Sequence, residues 1–175
     1  SCSVYGAQES TVGEDDPPNP LTLYARTKGK AEESVSALEG GISLRLSTLF
    51  GVSGRTRCDL VVNLLTCHAV SGGRIVLFGG SQWRPLLHVK DAARAFQIAM
   101  ERPLGGSQRI FNVGGNDQNL RVREIAEVVK GEVEGVDVSV HPVDRDARSY
   151  RVAFDRIEAA WGYRPQISVR EGVNE

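Results

Sequence analysis

The 175-residue sequence has no excess of charge of either sign, because 21 lysines and arginines stand against 22 aspartates and glutamates. The two signs are interleaved, so no stripe of one charge exists to attract nucleic acid or an anionic membrane surface. No apolar run approaches the length of a membrane span, and the first residues lack the pattern of a signal peptide. We therefore expect a cytoplasmic protein with neither nucleic-acid nor membrane partners.

Cysteine is scarce, and its spacing carries little information. Cys2, Cys58 and Cys67 form neither a Cys-x-x-Cys pair nor an even disulfide set. No histidine or further cysteine lies at a spacing typical of metal ligands, so no metal site is expected. An odd number of scattered cysteines is typical of a reducing compartment.

The chain also has no initiator methionine and no polar leading segment. Residues 1–6, Ser-Cys-Ser-Val-Tyr-Gly, are typical of the end of a buried strand. On this pattern we expect the sequence to be a fragment of a longer one.

Apolar runs alternate with helical patterns along the chain, which predicts α/β layering. Besides the opening segment, strands or extended segments are expected at 42–49, 74–78, 86–89, 110–113 and 136–140. Helices are expected at 21–38, 59–70, 91–100 (ended by Pro103), 122–129 and 155–161. Residues 14–20 are polar and rich in proline, which predicts a loop. The simplest architecture is part of a parallel sheet followed by a smaller mixed lobe.

The segment that points to chemistry is Tyr24-Ala25-Arg26-Thr27-Lys28. Residues four apart lie on the same face of a helix, so the Lys28 ammonium can approach the Tyr24 phenol. Free tyrosine titrates near pH ~10, and a neighbouring positive charge favours the phenolate. The pair therefore predicts a tyrosine that exchanges a proton with a hydroxyl or carbonyl group.

The order of motifs around this pair resembles a known family, the extended short-chain dehydrogenases/reductases, and specifically the nucleotide-sugar epimerases and dehydratases. The motifs are Ser1, Val4-Tyr5-Gly6, Pro20, Tyr24-x-x-x-Lys28 and Glu32. Later stretches are similar as well: 45–51 (with Thr48 where the family has Asn), 75–91, 111–114, 161–165 and 169–173. The resemblance covers nearly the whole chain.

The resemblance implies a role for each matching residue. Ser1 would orient the reacting sugar oxygen, Tyr24 would act as acid and base, and Lys28 would hold the cofactor ribose and tune the tyrosine. Tyr24 and Lys28 would thus also contact the cofactor, NAD or NADP. Thr48, Arg84 and Arg148 would contact the substrate's diphosphate end, although Arg145 and Arg151 compete with Arg148 for this role. Tyr5 would be structural.

The resemblance also divides the chain. Residues 1–51 and 86–115 would belong to an NAD(P)-binding Rossmann-like domain, of which the last strands are present. Residues 52–85 and 116–175 would form a small mixed α/β substrate lobe. The family's cofactor loop, Gly-x-x-Gly-x-x-Gly, occurs nowhere in the sequence, so we expect the isolated chain to bind the cofactor poorly. The parent enzyme would be a homodimer that binds a nucleotide sugar.

The opening motif bears on the type of reaction. Sugar 4,6-dehydratases of the family place Asp-Glu directly after the catalytic Ser or Thr, whereas this sequence has Cys2 and Ser3. A 4-epimerase or a keto-sugar reductase is therefore expected rather than a 4,6-dehydratase. Two alternatives stay open: a non-catalytic remnant that acts as a binding module, and a reductase of small carbonyl compounds.

Three further residues are expected to have structural roles. His88 lies in a short apolar strand, which predicts a hydrogen-bonded core residue rather than a base. Asp91 is expected to anchor the start of its own helix through free amides and the helix dipole. Trp83 is expected to pack, although its position beside Arg84 also suits the wall of a substrate pocket.

Overall fold

The computed structural model describes residues 1–101, 108–142 and 146–175, which form nine strands and six α-helices. The strands are β1 (Ala7–Val12), β2 (Ser43–Leu46), β3 (Thr48–Phe50), β4 (Arg74–Phe78), β5 (Trp83–His88), β6 (Ile110–Val113), β7 (Asn119–Arg121), β8 (Asp137–His141) and β9 (Ser149–Val152). The helices are α1 (Leu23–Ser36), α2 (Val61–Gly72), α3 (Val89–Glu101), α4 (Val122–Glu132), α5 (Asp155–Trp161) and α6 (Val169–Val173). None of the helices described is long and apolar enough to cross a membrane.

The strands form short parallel pairs, which confirms the predicted α/β class. β1 pairs with β9, β2 with β6, β3 with β5, and β4 with β8, each in parallel. The one antiparallel pairing in the part of the chain that the structure describes joins β5 to β7. Parallel pairing requires crossover connections, and helices supply most of them here.

Two hydrophobic cores lie on opposite sides of β5. The first is formed by side chains of β1, β6, β9, α3, α5 and the opening segment. The second is formed by side chains of α2, β4, α4 and α6. Leu87 is buried in the first core and Leu86 in the second, because successive residues of a strand point to opposite faces.

The helical predictions are confirmed to within about two or three residues at their ends, but the prediction of an opening strand is wrong. Cys2–Tyr5 forms a 3-10 helix, in which the Ser1 side chain accepts a hydrogen bond from Ser3 N. Gly6 ends it with a φ of +67°. The strand follows as β1, immediately before the proline-rich loop. Pro103 lies outside the described residues.

A buried arginine connects four of these elements. Arg45, on β2, donates from Nε and Nη2 to both carboxylate oxygens of Glu32 on α1, at 2.9 and 2.6 Å. Its Nη1 donates to the Tyr5 hydroxyl at 2.7 Å. That hydroxyl lies 2.8 Å from Oδ1 of Asn112 on β6 and 2.9 Å from the Gly13 carbonyl. The prediction that Tyr5 is structural is confirmed.

The proline-rich loop is tied to the same network through Glu14. Its Oε1 accepts a hydrogen bond from Asn112 N at 2.8 Å, and its Oε2 lies 3.5 Å from Nε of Arg156. The Asn112 side chain donates in turn to the Ala153 carbonyl at 3.2 Å. Polar groups buried among β2, β6 and the loop are thus satisfied by one another, which offsets the cost of removing them from water.

Asp91 lies in the first turn of α3, as expected, where the helix dipole favours a carboxylate. The prediction that it caps the free amides of that helix is wrong. Asp91 is buried, and its Oδ2 accepts hydrogen bonds from the backbone of Gln166 and Ile167, both at 2.9 Å. Arg94 donates to its Oδ1 at 2.9 Å. The carboxylate therefore fixes the segment before α6 against α3.

The Arg45–Glu32 pair yields a stability prediction. Glu32→Gln removes the charge that faces a nearly inaccessible guanidinium, so we expect the free energy of unfolding to fall by roughly 3 kcal/mol. Glu33→Gln is the matched control, since Glu33 is exposed on the neighbouring helix position and should change stability by less than about 0.5 kcal/mol. Urea unfolding followed by circular dichroism measures both. Equal unfolding midpoints for the two variants would contradict a stabilising role for the pair.

Candidate active site

The Tyr24–Lys28 pair lies at the solvent-facing start of α1. Thr22 caps this helix, accepting a hydrogen bond from Ala25 N at 3.1 Å. Tyr24 is 57% exposed, and Lys28 Nζ lies 5.4 Å from the centroid of its ring. Among the described residues, no carboxylate forms an ion pair with Lys28. The ammonium and the phenol are thus adjacent, and both are accessible to a ligand.

The opening 3-10 helix is the element that carries Ser1 to the start of α1. Asn19 N donates to the Val4 carbonyl at 2.8 Å, which holds the segment before α1 against the opening residues. Gly6 is required here, since a Cβ at this position would lie 1.9 Å from the Asn19 carbonyl oxygen. Lys28 and Glu32 of α1 both lie within electrostatic range of Ser1.

The side chains next to Ser1 supply no acidic proton donor. Cys2 is buried and its thiol donates to the Arg45 carbonyl at 2.9 Å. Burial raises the pKa of Cys2 to about 12, so the thiol stays protonated at neutral pH. The Ser3 hydroxyl lies 3.0 Å from the Ser1 hydroxyl. Cys2 is thus an inert core residue.

Thr48, the residue found in place of the expected Asn, is half-buried at the start of β3. It is paired with Leu86 of β5. Arg84 lies two residues earlier on β5, so Thr48 and Arg84 belong to adjoining parts of the same sheet.

Arg84 and Arg148 are brought together by a carboxylate that the sequence reasoning missed. Arg84 Nη2 and Arg148 Nη2 both donate to Oδ2 of Asp146, at 2.7 and 2.6 Å. Arg84 Nη1 also donates to the Arg148 carbonyl at 2.5 Å. Burial disfavours ionisation of Asp146, but hydrogen bonds from Arg148 and the charge of Arg84 outweigh it and lower the pKa of Asp146 to about 2. Arg145, the competing residue, lies outside the described residues.

Two further arginines enclose Trp83. The Arg121 guanidinium lies 4.7 Å from the Trp83 ring and that of Arg151 lies 5.1 Å from it, both within the range of cation–π attraction. Nε of Arg121 is buried and has no hydrogen-bond partner among the described residues. We refer to Arg84, Arg121, Arg148 and Arg151 as the arginine cluster.

His88 is a core residue, as predicted. It is fully buried, its Nε2 lies 3.1 Å from Glu175 Oε2, and its Nδ1 accepts from Lys90 N at 3.3 Å. Both ring nitrogens are therefore engaged. The close approach of Gly51, where a Cβ would lie 2.0 Å from Nε2, leaves no space for a substrate beside the ring.

The site residues thus fall into two groups, one around α1 and one around β5.

Sequence reasoning overlooked Asp146 and Arg121, although the Asp-x-Arg spacing of 146–148 was a signal for the first. It also overlooked Arg57. A hydrogen bond with Asp59 raises the pKa of Arg57, and Tyr24 is close enough to contribute, so the loop before α2 lies within electrostatic range of the phenol.

Known proteins resemble this chain in sequence over most of its length. The chain is 24% identical over 173 residues to the UDP-glucose 4-epimerase of Corynebacterium glutamicum, an alignment that covers 86% of this chain and 50% of that protein. The chain therefore spans half the length of this relative.

Solved structures of similar fold cover the chain almost completely. MoeE5 in complex with UDP-glucuronic acid and NAD matches 99% of this chain and 60% of its own, with a TM-score of 0.81 and 27% identity. TunA, described as an NAD-dependent NDP-hexosamine 5,6-dehydratase, matches 99% of this chain and 59% of its own, with a TM-score of 0.84 and 22% identity. The second likeness shows the fold alone.

The sequence model of one family matches residues 1–114, which include the opening 3-10 helix, the Tyr24–Lys28 pair and the paired strands β2 and β6. That match extends over more than half of the chain, and the chain belongs to the NAD dependent epimerase/dehydratase family.

Proposed function

We propose that this chain supplies the catalytic Tyr–Lys pair and the substrate-contacting part of an NAD(P)-dependent enzyme that epimerises or reduces a nucleotide-diphosphate sugar. The observation that carries the proposal is the accessible Tyr24 phenol with the Lys28 ammonium 5.4 Å from its ring. Both groups are exposed on the surface of α1, so a ligand can contact them together.

We propose a division of the chain into a cofactor-binding part and a substrate lobe that corresponds to the two hydrophobic cores. Residues 1–51 and 86–115 belong to the cofactor-binding part, and residues 52–85 and 116–175 to the substrate lobe. Support comes from the second core, whose residues, apart from Phe50 and Leu86, all lie within the substrate lobe. Residues 150–163, which pack in the first core, join the two parts.

In this proposal Tyr24 moves the proton. Its phenolate accepts the hydroxyl proton of a sugar carbon that is being oxidised, and its phenol returns a proton when the carbonyl is reduced. Lys28 favours the phenolate by its positive charge, and the Ser1 hydroxyl donates a hydrogen bond that orients the sugar oxygen. The nicotinamide cofactor, when bound, supplies the chemistry of hydride transfer.

The residues present fit the nicotinamide end of such a cofactor but not its pyrophosphate. Tyr24 and Lys28 are exposed and free to contact its ribose and nicotinamide. The 175 residues contain no Gly-x-x-Gly-x-x-Gly segment, which would hold the pyrophosphate at a helix N-terminus. Activity in this proposal therefore requires that segment in the same polypeptide.

The arginine cluster supports a diphosphate as the substrate's recognition group. Four guanidinium groups surround β5 and Trp83, and Asp146 neutralises one charge among them. Planar guanidinium groups suit bidentate contact with phosphate oxygens. The unpartnered Nε of Arg121 adds a donor whose burial without an acceptor costs about 1–3 kcal/mol. Arg84 and Arg148 are the proposed contacts, with Thr48 nearby on β3.

The surroundings of Ser1 favour epimerisation or reduction over 4,6-dehydration. Elimination of water from the keto sugar needs a carboxylic acid or comparable proton donor beside the reacting carbon. Cys2 is buried, and burial keeps its pKa near 12, so it cannot serve. Epimerisation and reduction require the hydroxyl, the phenol and the ammonium, all of which lie near the start of α1.

The first test distinguishes a catalytic role of Tyr24 and Lys28 from that of a non-catalytic binding module. In the full polypeptide that carries these residues with its cofactor segment, Tyr24→Phe and Lys28→Met should each lower kcat by about 10²–10⁴-fold with little change in KM, because a proton-transfer group or its charge is lost. Lys30→Met is the control, an exposed lysine of the same helix that should keep wild-type turnover. Unchanged turnover in Tyr24→Phe would remove this residue from the mechanism.

The second test concerns the substrate. Arg84→Lys and Arg148→Lys keep the charge but lose the planar fork, so we expect KM for a nucleotide sugar to rise by about tenfold or more, with kcat less affected. Arg74→Lys, on the exposed start of β4, is the control. Steady-state kinetics with a nucleotide sugar and a small carbonyl compound measure the effect. Unchanged KM in both variants, or turnover of the small carbonyl compound alone, would favour a reductase that needs no nucleotide.

A further inference from the structure

Two cysteines that are unrelated in spacing meet in the structure. Cys58 lies in the loop between β3 and α2, and Cys67 lies on α2 itself. Both are exposed, whereas Cys2 is buried. No pairing of these cysteines was expected, because a separation of nine residues across a loop and a helix matches no familiar cysteine motif.

One side chain of α2 holds the loop in place. Asn63 Oδ1 accepts a hydrogen bond from Gly51 N at 3.0 Å, and Asn63 Nδ2 donates to the Arg57 carbonyl at 3.1 Å. Both ends of the loop are thus attached to a single position of the helix. Cys58 directly follows Arg57, and Cys67 is one turn beyond Asn63 on the same helix face. The backbone therefore brings Cys58 beside the surface from which Cys67 projects.

The two side chains lie within interaction range of each other. A side-chain hydrogen bond with Cys58 raises the pKa of Cys67, with a smaller contribution from burial. Both thiols are exposed, so an oxidant in solution can reach either of them. Cys2 differs in every respect, being buried and hydrogen-bonded to the Arg45 carbonyl.

We propose that Cys58 and Cys67 form a site of reversible oxidation, at which a peroxide converts the two exposed thiols into an intramolecular disulfide. The proposal is independent of the function proposed above. It agrees with a reducing compartment, where disulfides are transient and respond to oxidants.

The chemistry is balanced by hydrogen peroxide. The Cys58 thiolate attacks one peroxide oxygen, so that an S–O bond forms, the O–O bond breaks and the leaving hydroxide takes up a proton as water. The Cys67 sulfur then attacks the sulfenic sulfur of Cys58, forming the S–S bond and expelling a second water with the Cys67 proton. Two thiols are oxidised by two electrons, and the peroxide is reduced to water.

The bond would fix the loop that precedes α2. That loop carries Arg57, whose guanidinium lies within electrostatic range of Tyr24. A disulfide between Cys58 and Cys67 would restrict the positions open to Arg57. If the proposed function holds, oxidation would thereby change the electrostatic environment of Tyr24.

The sequence allows a direct test. No lysine or arginine lies between Cys58 and Arg74, so trypsin releases both cysteines in one peptide, residues 58–74. The folded chain is reduced, treated with hydrogen peroxide, alkylated and digested. We expect this peptide to appear two hydrogens lighter and unalkylated, to regain two alkylation sites after reduction with dithiothreitol, and the Cys2 peptide to remain a thiol throughout.

Single variants provide the controls. In Cys67→Ser no second thiol is present to convert the sulfenic acid of Cys58 into a disulfide. Peroxide should therefore oxidise Cys58 to sulfinic acid, which dithiothreitol does not reverse. Cys2→Ala should leave disulfide formation unchanged. The proposal is overturned if wild-type Cys58 and Cys67 both remain alkylatable, if they reach sulfinic acid as readily as in the single variants, or if oxidation yields disulfide-linked dimers instead.

Discussion

The contact on which the candidate site depends is the pairing of Arg45 with Glu32. α1 has only one buried residue, Ala25, so apolar packing does little to fix this helix on the described part of the chain. The guanidinium fork binds both oxygens of Glu32 while also donating to Tyr5, which follows Ser1 in the opening 3-10 helix. One buried cation on β2 therefore sets the position of the two elements that carry the proposed catalytic groups.

An ion pair orients a helix more specifically than apolar contacts do. Replacing a buried pair by well-packed hydrophobic residues is often neutral or stabilising, so stability alone is weak grounds for retaining one. A two-pronged contact, however, fixes rotation about the helix axis. Glu32 lies four residues beyond Lys28 and eight beyond Tyr24, on one face of α1. Holding Glu32 consequently fixes the direction in which the other two side chains project.

Sequence reasoning captured what depends on local periodicity and missed what depends on long-range contacts. The helices and the Tyr24–Lys28 pair were predictable, because a spacing of four residues has the same geometric meaning in any helix. The opening segment was misjudged, since apolar residues near a glycine suit a strand end and a buried 3-10 turn equally. The acceptor role of Asp91 toward 166–167, the sharing of Asp146 by two arginines and the Cys58–Cys67 contact join positions whose proximity is decided by the fold. The short strands β7 and β9 lack a pattern long enough to detect.

The arginine cluster is the feature that folding least explains. Four guanidinium groups repel one another, and within the described residues Asp146, ionised above a pH of about 2, compensates for one of them. Trp83 offsets part of the repulsion through its cation–π contacts with Arg121 and Arg151. The buried Nε of Arg121 still lacks an acceptor within the described residues. A concentration of positive charge with an unsatisfied donor lowers stability unless an anion completes it, whereas a multiply charged anion would satisfy the donor and relieve the repulsion together. This unbalanced charge and unsatisfied donor are the strongest support for the proposal that a phosphate-bearing group binds there.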